Sequence, residues 1–391
     1  MKKYISWLAF LVSTAIAGEV VEPESAAMSS DHLKRIDPVM QEAIDQGLFT
    51  GGVTLVARRG SIIHFEAHGS LTKTGESPMT TDAIFAIASM TKPIAHVAAM
   101  VLVEEGKLLL SDPVGKYIPE FHDTRVKLSS GELVAPEQPM RIHHLFRHTS
   151  GMSEGPKREE FDSKDDYIRA RAQQPLQFHP GERYHYPEST EVLGWVIERV
   201  SQKSLRDFLK DRLFEPLSML DTDFGIPKEK IHREAHLMMK DDSVVPTFIS
   251  GSHRDGLQRN GYHNARGGLW STAEDYWKFS QMLLNEGEYR GARILSRTNV
   301  RRMLAYNEQS DLPDFKLPGH QMTLGFRVVT DRFESRSPLS EGSFSKGGAL
   351  RTYSFVDPSE ELIGVFMVQT RKWNGGSLDH FLEIIYGAIL D

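Results

Sequence analysis

Serine, lysine and tyrosine carry the chemistry that these 391 residues offer. There is no cysteine, so a thiol nucleophile, a disulfide and a cysteine-linked lipid are all excluded. A serine hydroxyl becomes a nucleophile beside a group that takes its proton. Ser-x-x-Lys supplies such a pair, because residues three apart are neighbours on a helix face. Three matches occur: Ser70 to Lys73, Ser89 to Lys92 and Ser343 to Lys346. Ser70 lies in a glycine-flanked connection after a strand pattern, and Ser343 precedes a strand. Only Ser89 opens a long apolar helix, expected from Ser89 to Glu105 with its stop at Gly106, where the helix dipole favours developing negative charge. A lysine partly desolvated there can lose its proton and assist the serine. By spacing alone, Ser89 reads equally well as a plain helix cap.

Two further clusters bear on that choice. The turn Pro180-Gly181 leads to Tyr184 and Tyr186, directly before a helix. A phenol beside two cationic lysines is expected to ionise below its usual value of about 10 and to serve as base. Alone, either tyrosine reads as packing at the start of that helix. In Lys346-Gly347-Gly348-Ala349, two glycines leading into a strand let a substrate backbone approach, and the amide of Ala349 could join that of Ser89 as an oxyanion hole. Alone, this is a glycine bend. Lys73-Thr74-Gly75 and Tyr262-His263-Asn264 imitate the two clusters; the first lies before the nucleophile in what reads as a surface turn. None of the 16 histidines forms a His-x-x-x-His pair on a convincing helix, so neither metal nor cofactor is expected.

The elements that must position these residues follow from periodicity. Ser29 to Gln46 reads as a helix capped by Ser30 or Asp31, with Leu33, Ile36, Met40 and Ile44 on one stripe. Residues 51–58 and 61–68 read as strands joined by Arg59-Gly60. From about 110 to 265 the chain reads as short helices and loops, including 194–200, 205–213 and a hairpin at Ser129-Ser130-Gly131. Then come a helix over 272–284, strands over 324–330, 352–356 and 362–368, and a last helix over 378–390. Strands at both ends with a helical middle imply a mixed α/β fold: one antiparallel sheet built from both chain ends, flanked by helices, with an inserted, mostly helical lobe. Residues 18–391 are expected to form a single catalytic domain.

Composition narrows the partners. The chain is 40% hydrophobic and 25% charged, as globular proteins are. Lys2 and Lys3, the apolar run from Tyr4 to Ile16 and the small residues Ala15 and Ala17 read as a signal peptide over 1–17, which implies a periplasmic or secreted protein. The run is shorter than the roughly 20 residues a membrane span needs, so no stable membrane insertion is expected after cleavage. Loss of the two lysines would take the net charge from −7 to −9, and no basic block suggests nucleic acid.

Ser-x-x-Lys with a downstream Lys-Thr-Gly element marks penicillin-recognising enzymes. From about Leu33 onward this chain resembles the serine β-lactamase-like and penicillin-binding-protein family, in the branch that holds class C β-lactamases, D-alanyl-D-alanine carboxypeptidases and family VIII esterases. Besides the three clusters, the resemblance rests on Ile142 to Met152 with His148-Thr149-Ser150-Gly151, on Gly267 to Asp275, and on Leu324-Gly325-Phe326. It implies that Ser89 is the acylated nucleophile, Lys92 its helper and Tyr186 the base and later the acid. Lys346 would steady the tyrosinate or a substrate carboxylate, and His148 would be structural.

The departures choose the substrate class. Lactamases and peptidases of this branch usually carry Tyr-x-Asn, whose asparagine binds the substrate amide; here Glu188 stands there, acceptor-only when ionised. The run after Tyr186 looks like the esterases, whereas Lys346-Gly347-Gly348 leans toward the lactamases, since esterases often have Trp-Gly-Gly. An ester has the better leaving group and loses least without the asparagine. The expected function is an exported carboxylesterase acting on short-chain esters through an acyl-enzyme. A β-lactamase or D-alanyl-D-alanine carboxypeptidase is the alternative enzyme, and a non-catalytic binder of peptidoglycan fragments or a partner the alternative of another class. A small-molecule ester or amide is the expected partner. The mature chain is expected to begin at Gly18, which N-terminal sequencing of protein secreted from a bacterial host checks. Membrane-bound material retaining Met1 would contradict it.

Overall fold

The computed structural model describes residues 19–73, 75–186, 188–247, 262–305, 314–315, 317–372 and 376–391. The signal segment expected over 1–17 lies outside them. Seven strands form the main sheet: β1 (Gly51–Arg58), β2 (Ser61–Gly69), β3 (His320–Met322), β4 (Arg327–Val329), β5 (Phe344–Gly347), β6 (Tyr353–Asp357) and β7 (Leu362–Val368). Their spatial order is β3-β4-β5-β6-β7-β1-β2, with every neighbouring pair antiparallel. The sheet is thus assembled from both ends of the chain. The closing contact is β1 against β7, with Gly52 opposite Val368 and Arg58 opposite Leu362.

Period-two alternation gives the central strands two apolar faces. Val53, Leu55, Ala57, Val365 and Met367 enter one core cluster, while Val56, Phe366 and Val368 enter another. The second cluster is covered by α1 (Ile36–Asp45), through Met40 and Ile44, and by the last helix, Gly376–Gly387, through Phe381 and Ile385. The first is continuous with α2 (Thr91–Glu104), which is buried on all sides from Thr91 to Leu102, as a helix apolar all round must be. Further helices join that cluster, among them α3 (Ile142–Arg147), α4 (Ser189–Ser201) and α5 (Ala273–Leu284). The last helix is α6. Among the described residues no helix is long and apolar enough to cross a membrane.

Several boundaries differ from expectation. The first helix is two, Ser30–Leu33 and α1, and its cap is Ser29, whose hydroxyl accepts from the His32 amide. The strand expected over 324–330 is shorter, because Leu324 and Gly325 form the bend between β3 and β4. The helix expected over 205–213 ends in the π-helical turn Lys210–Phe214. Lys346 lies within β5 rather than ahead of a strand. The hairpin around Ser129 is present, pairing Val126–Lys127 with Leu133–Val134.

Gly364 in β7 stands opposite Phe355 in β6, and a β-carbon there would fall 2.2 Å from Phe355 Cε1. The ring occupies the space that only a missing side chain leaves. Gly364→Ala is expected to displace the ring and cost about 1–3 kcal/mol of stability. A thermal melt checks this, and an unchanged melting temperature would contradict it.

Candidate active site

The chain enters α2 through one 3-10 turn, Ala88–Met90, so Ser89 sits just ahead of the α-helix rather than in its first turn. Ala88 takes a left-handed conformation, φ 43°, which residues other than glycine seldom adopt. Its surroundings enforce it. The Ile87 amide donates to the Leu269 carbonyl at 3.0 Å, the Leu269 amide donates to Thr91 Oγ1 at 3.1 Å, and Phe85–Ala86 pairs with Trp270–Ser271. From the other side comes the end of β5. A β-carbon on Gly348 would lie 2.6 Å from the Ile87 carbonyl oxygen, so the approach that requires this glycine is that of the protein's own backbone. Lys346, Gly347, Gly348 and the exposed Ala349 therefore border the Ser89 turn.

The side chains converge on one hydroxyl. Lys92 Nζ lies 3.1 Å from Ser89 Oγ and donates to the Arg266 carbonyl at 2.6 Å. The Tyr186 hydroxyl donates to Ser89 Oγ at 2.7 Å. The Tyr186 ring is flanked by Lys92 Nζ at 4.6 Å and Lys346 Nζ at 4.9 Å from its centre. The other two Ser-x-x-Lys matches go elsewhere. Ser70 Oγ accepts from the Gly75 amide, and Lys73 is exposed. Ser343 is buried, and of that match only Lys346 reaches this cluster.

Electrostatics runs against the low-lying tyrosinate expected from the sequence. Burial, then the charges of Lys346 and Arg266, push the Lys92 amine well below its ordinary value. Burial and Arg327 hold Lys346 down at about 7. Burial pushes the Tyr186 phenol up, against the opposing influence of its bond to Ser89 and of Arg266. The expected low-lying tyrosinate is therefore not favoured: the lysines meant to stabilise it are themselves inclined to be neutral. The directions favour a neutral Lys92 and a protonated Tyr186.

Glu188 is not presented to a substrate. It is buried and accepts from Arg171 Nη2 at 3.3 Å and from Arg266 Nη1. Arg266 thus serves twice, its carbonyl holding Lys92 and its guanidinium holding Glu188. Glu191, one turn further along α4, accepts from Tyr167 at 3.0 Å and from Tyr262. Tyr262 is thereby accounted for as a packing residue, its hydroxyl taken up away from Ser89. His148, the left-handed C-cap of α3, is fully buried with its ring 4.8 Å from that of Tyr186. Burial and the neighbouring lysines favour its neutral form, and among the described residues neither ring nitrogen has a hydrogen-bond partner. It supports the Tyr186 ring edgewise. Arg171 and Arg266 were missed in the sequence; the available signal was a buried-position acid at the start of an apolar helix, which needs a counter-charge.

Beside this cluster opens a cavity of about 610 Å³. Tyr184, Tyr186, Lys346 and Gly347 line its inner end, and Phe315, Leu317, Phe366 and Leu378 supply apolar wall. Its size and mostly apolar lining are those of a small-molecule site. Among the described residues one group has metal-ligand spacing, Asp37, Glu66 and His68, whose ligand atoms lie within 4.8 Å of one another. Burial and a hydrogen bond with Asp37 raise Glu66 to about 7, and Thr54 Oγ1 engages the His68 ring at 2.9 Å.

Comparison with known proteins places the chain in a family. The Beta-lactamase family model matches residues 36–387. Protein Rv1367c of Mycobacterium tuberculosis is 33% identical over 356 residues, covering 84% of this chain and 88% of that protein. Esterase EstB of Burkholderia gladioli is 34% identical over 207 residues, 49% of this chain and 51% of its own length. The solved structure of EstCE1, a hydrolase with promiscuous acyltransferase activity, superposes with a TM-score of 0.79 at 25% identity, covering 91% of this chain and 99% of that one. The chain belongs to the beta-lactamase family of serine hydrolases and has its fold.

The ion network gives a stability prediction. Glu188→Gln leaves two guanidinium groups without their shared carboxylate, and breaking such a buried pair costs about 3–5 kcal/mol. Chemical denaturation of both proteins measures the loss. Equal stabilities would mean that Glu188 is not the counter-ion described.

Proposed function

We propose that this member of the beta-lactamase family is an exported carboxylesterase that works through an acyl-enzyme on Ser89. The observation that carries the reading is the pair of contacts at Ser89 Oγ: a deprotonation-prone lysine on one side and a protonated phenol on the other. As Ser89 Oγ bonds to the ester carbonyl carbon, its proton passes to the neutral amine of Lys92. The amides of Ser89 and Ala349 are the donors proposed for the developing oxyanion. Collapse of the tetrahedral adduct breaks the bond to the alkoxy oxygen, which takes the Tyr186 proton; Lys92 returns its own to Tyr186. Water then attacks the acyl-enzyme, giving up its proton along the same path, and Ser89 leaves reprotonated. Lys346, against the Tyr186 ring, steadies the phenol through the transfer.

Glu188 supports the ester over the amide reading. The position that would bind a substrate amide is locked into an ion network, so nothing there is offered to a β-lactam or peptide. The esterase names borne by relatives point the same way. The apolar export signal at residues 1–17 supports a periplasmic or secreted location.

A fluorophosphonate should add covalently to Ser89, and Ser89→Ala should abolish hydrolysis of p-nitrophenyl butyrate. Labelling elsewhere, or full activity in that variant, would overturn the assignment. Tyr186→Phe should lower kcat by about 10²–10⁴, the usual worth of a positioned acid–base group. Because catalysis needs Lys92 without its proton, kcat/KM should rise with pH through an ionisation below the ordinary lysine value. That limb should persist in Tyr186→Phe; its disappearance would make Tyr186 the base instead. Faster turnover of a cephalosporin or a D-Ala-D-Ala peptide than of esters would contradict the substrate class.

A further inference from the structure

We propose that Asp37, Glu66 and His68 bind a divalent transition ion such as zinc, which fastens α1 to the edge strand β2. The site is separate from the hydrolase reading, since none of the three lines the cavity beside Ser89. The His64-x-x-x-His68 pair lies on a strand rather than a helix, and on a strand residues two apart share a face. His64, Glu66 and His68 therefore project from one face of β2. Thr54 of β1 stands directly opposite Glu66 and joins that face. Asp37 reaches it from the first turn of α1. β2 ends the sheet beyond β1, so a bond from α1 to β2 secures an edge.

The ligand atoms of Asp37, Glu66 and His68 all lie within 4.8 Å of one another. Bonds of about 2.0–2.2 Å around a tetrahedral zinc ion set its donors roughly 3.4 Å apart, so a small swing of the two acids closes the set. Both acids are half-exposed, which leaves them room to swing and opens the site to ions from solvent. Two carboxylates brought this close repel each other unless a proton or a cation lies between them. Among the described residues no lysine or arginine pairs with either. The two imidazole rings are held as metal ligands are held. Their side chains are only 6% and 8% exposed, yet His64 Nδ1 stands 4.0 Å from Glu66 Oε1 and His68 Nδ1 3.5 Å from Asp37 Oδ1. Both distances exceed those of a good hydrogen bond. Each Nε2 instead meets one shared hydroxyl, Thr54 Oγ1, at 2.8 Å for His64 and 2.9 Å for His68. A hydroxyl oxygen can accept from both rings at once. With both Nε2 atoms donating, each Nδ1 turns a lone pair toward the acids, which is the tautomer a metal ligand needs. His68 is then the nitrogen ligand, and Thr54 fixes its ring. An imidazole among the donors favours zinc over calcium or magnesium, which take oxygen ligands.

The test titrates the full chain, freed of metal with EDTA and dialysed, with zinc chloride, and reads binding by calorimetry and stability by thermal melting. The wild type should bind zinc and melt at a higher temperature with it, and magnesium should not reproduce the shift. Glu66→Gln and Asp37→Asn, isosteric changes at half-exposed positions, should each weaken zinc binding at least tenfold and remove the melting shift. Thr54→Val deletes the hydroxyl that fixes the ring and should weaken binding about 10–100-fold, the usual cost of losing a group that orients a metal ligand. Thr54→Ser, which keeps the hydroxyl, should bind as the wild type does. If Thr54→Val fails to fold, the two acid variants still decide. No zinc-dependent shift in the wild type overturns the proposal and leaves a proton between the acids. The same affinity and shift in Glu66→Gln also overturns it, by placing the zinc elsewhere on the chain. Neither readout involves ester turnover, so the outcome is independent of the hydrolase reading.

Discussion

A primary amine carried into the interior must give up its proton or find a counter-ion. Among the described residues no acid contacts Lys92, and the pull of Glu188 and Glu191 on it is weaker than the push of the cations. Its nitrogen meets a serine hydroxyl and a backbone carbonyl, while the charges that act on it most strongly are cations, Lys346 and Arg266. Burial and these cations pull the amine toward its neutral form, and a neutral amine 3.1 Å from a hydroxyl is what the proposed base requires. Most of what surrounds it can be understood as the means of keeping it there. The buried α2 excludes water, the 262–271 segment brings up the Arg266 carbonyl, and β5 supplies the second lysine.

The ion network behind the site is what allows Arg266 to stand so close. A lone guanidinium there would be costly, and Glu188 supplies a counter-charge that it shares with Arg171. Glu188, standing where the sequence resemblance leads one to expect asparagine, is thus part of the scaffold. Removing it would unsettle the segment that holds Lys92 before it changed any contact with substrate. The strained backbone of Ala88 belongs to the same arrangement, since Gly348 and Leu269 press on the turn from opposite sides.

Much of this was legible in the residues. Alternation revealed the long strands β1, β2, β6 and β7, and the apolar run after Ser89 singled out one Ser-x-x-Lys from three, because burial of a helix leaves a compositional mark. Tyr186 and Lys346 were found by their turn and glycine context. Arg266, Arg171 and Arg327 were not, since an arginine gives no periodic signal and its partner is set by tertiary proximity. The ionisation of Tyr186 was misread for a related reason: two lysines count as cations in a sequence, and only the fold shows that they are buried and repel one another. The split of the first helix and the shortened strand at Leu324 reflect local turns that propensity does not resolve.

The account stands on the protonation of Lys92, and carbon NMR of protein labelled at lysine Cε reads it directly. The Lys92 resonance, assigned by its loss in Lys92→Arg, should titrate well below the ordinary lysine value, and below most of the other lysines in the same spectrum. A Lys92 that titrates near 10.5, still charged wherever the enzyme is active, would contradict the account.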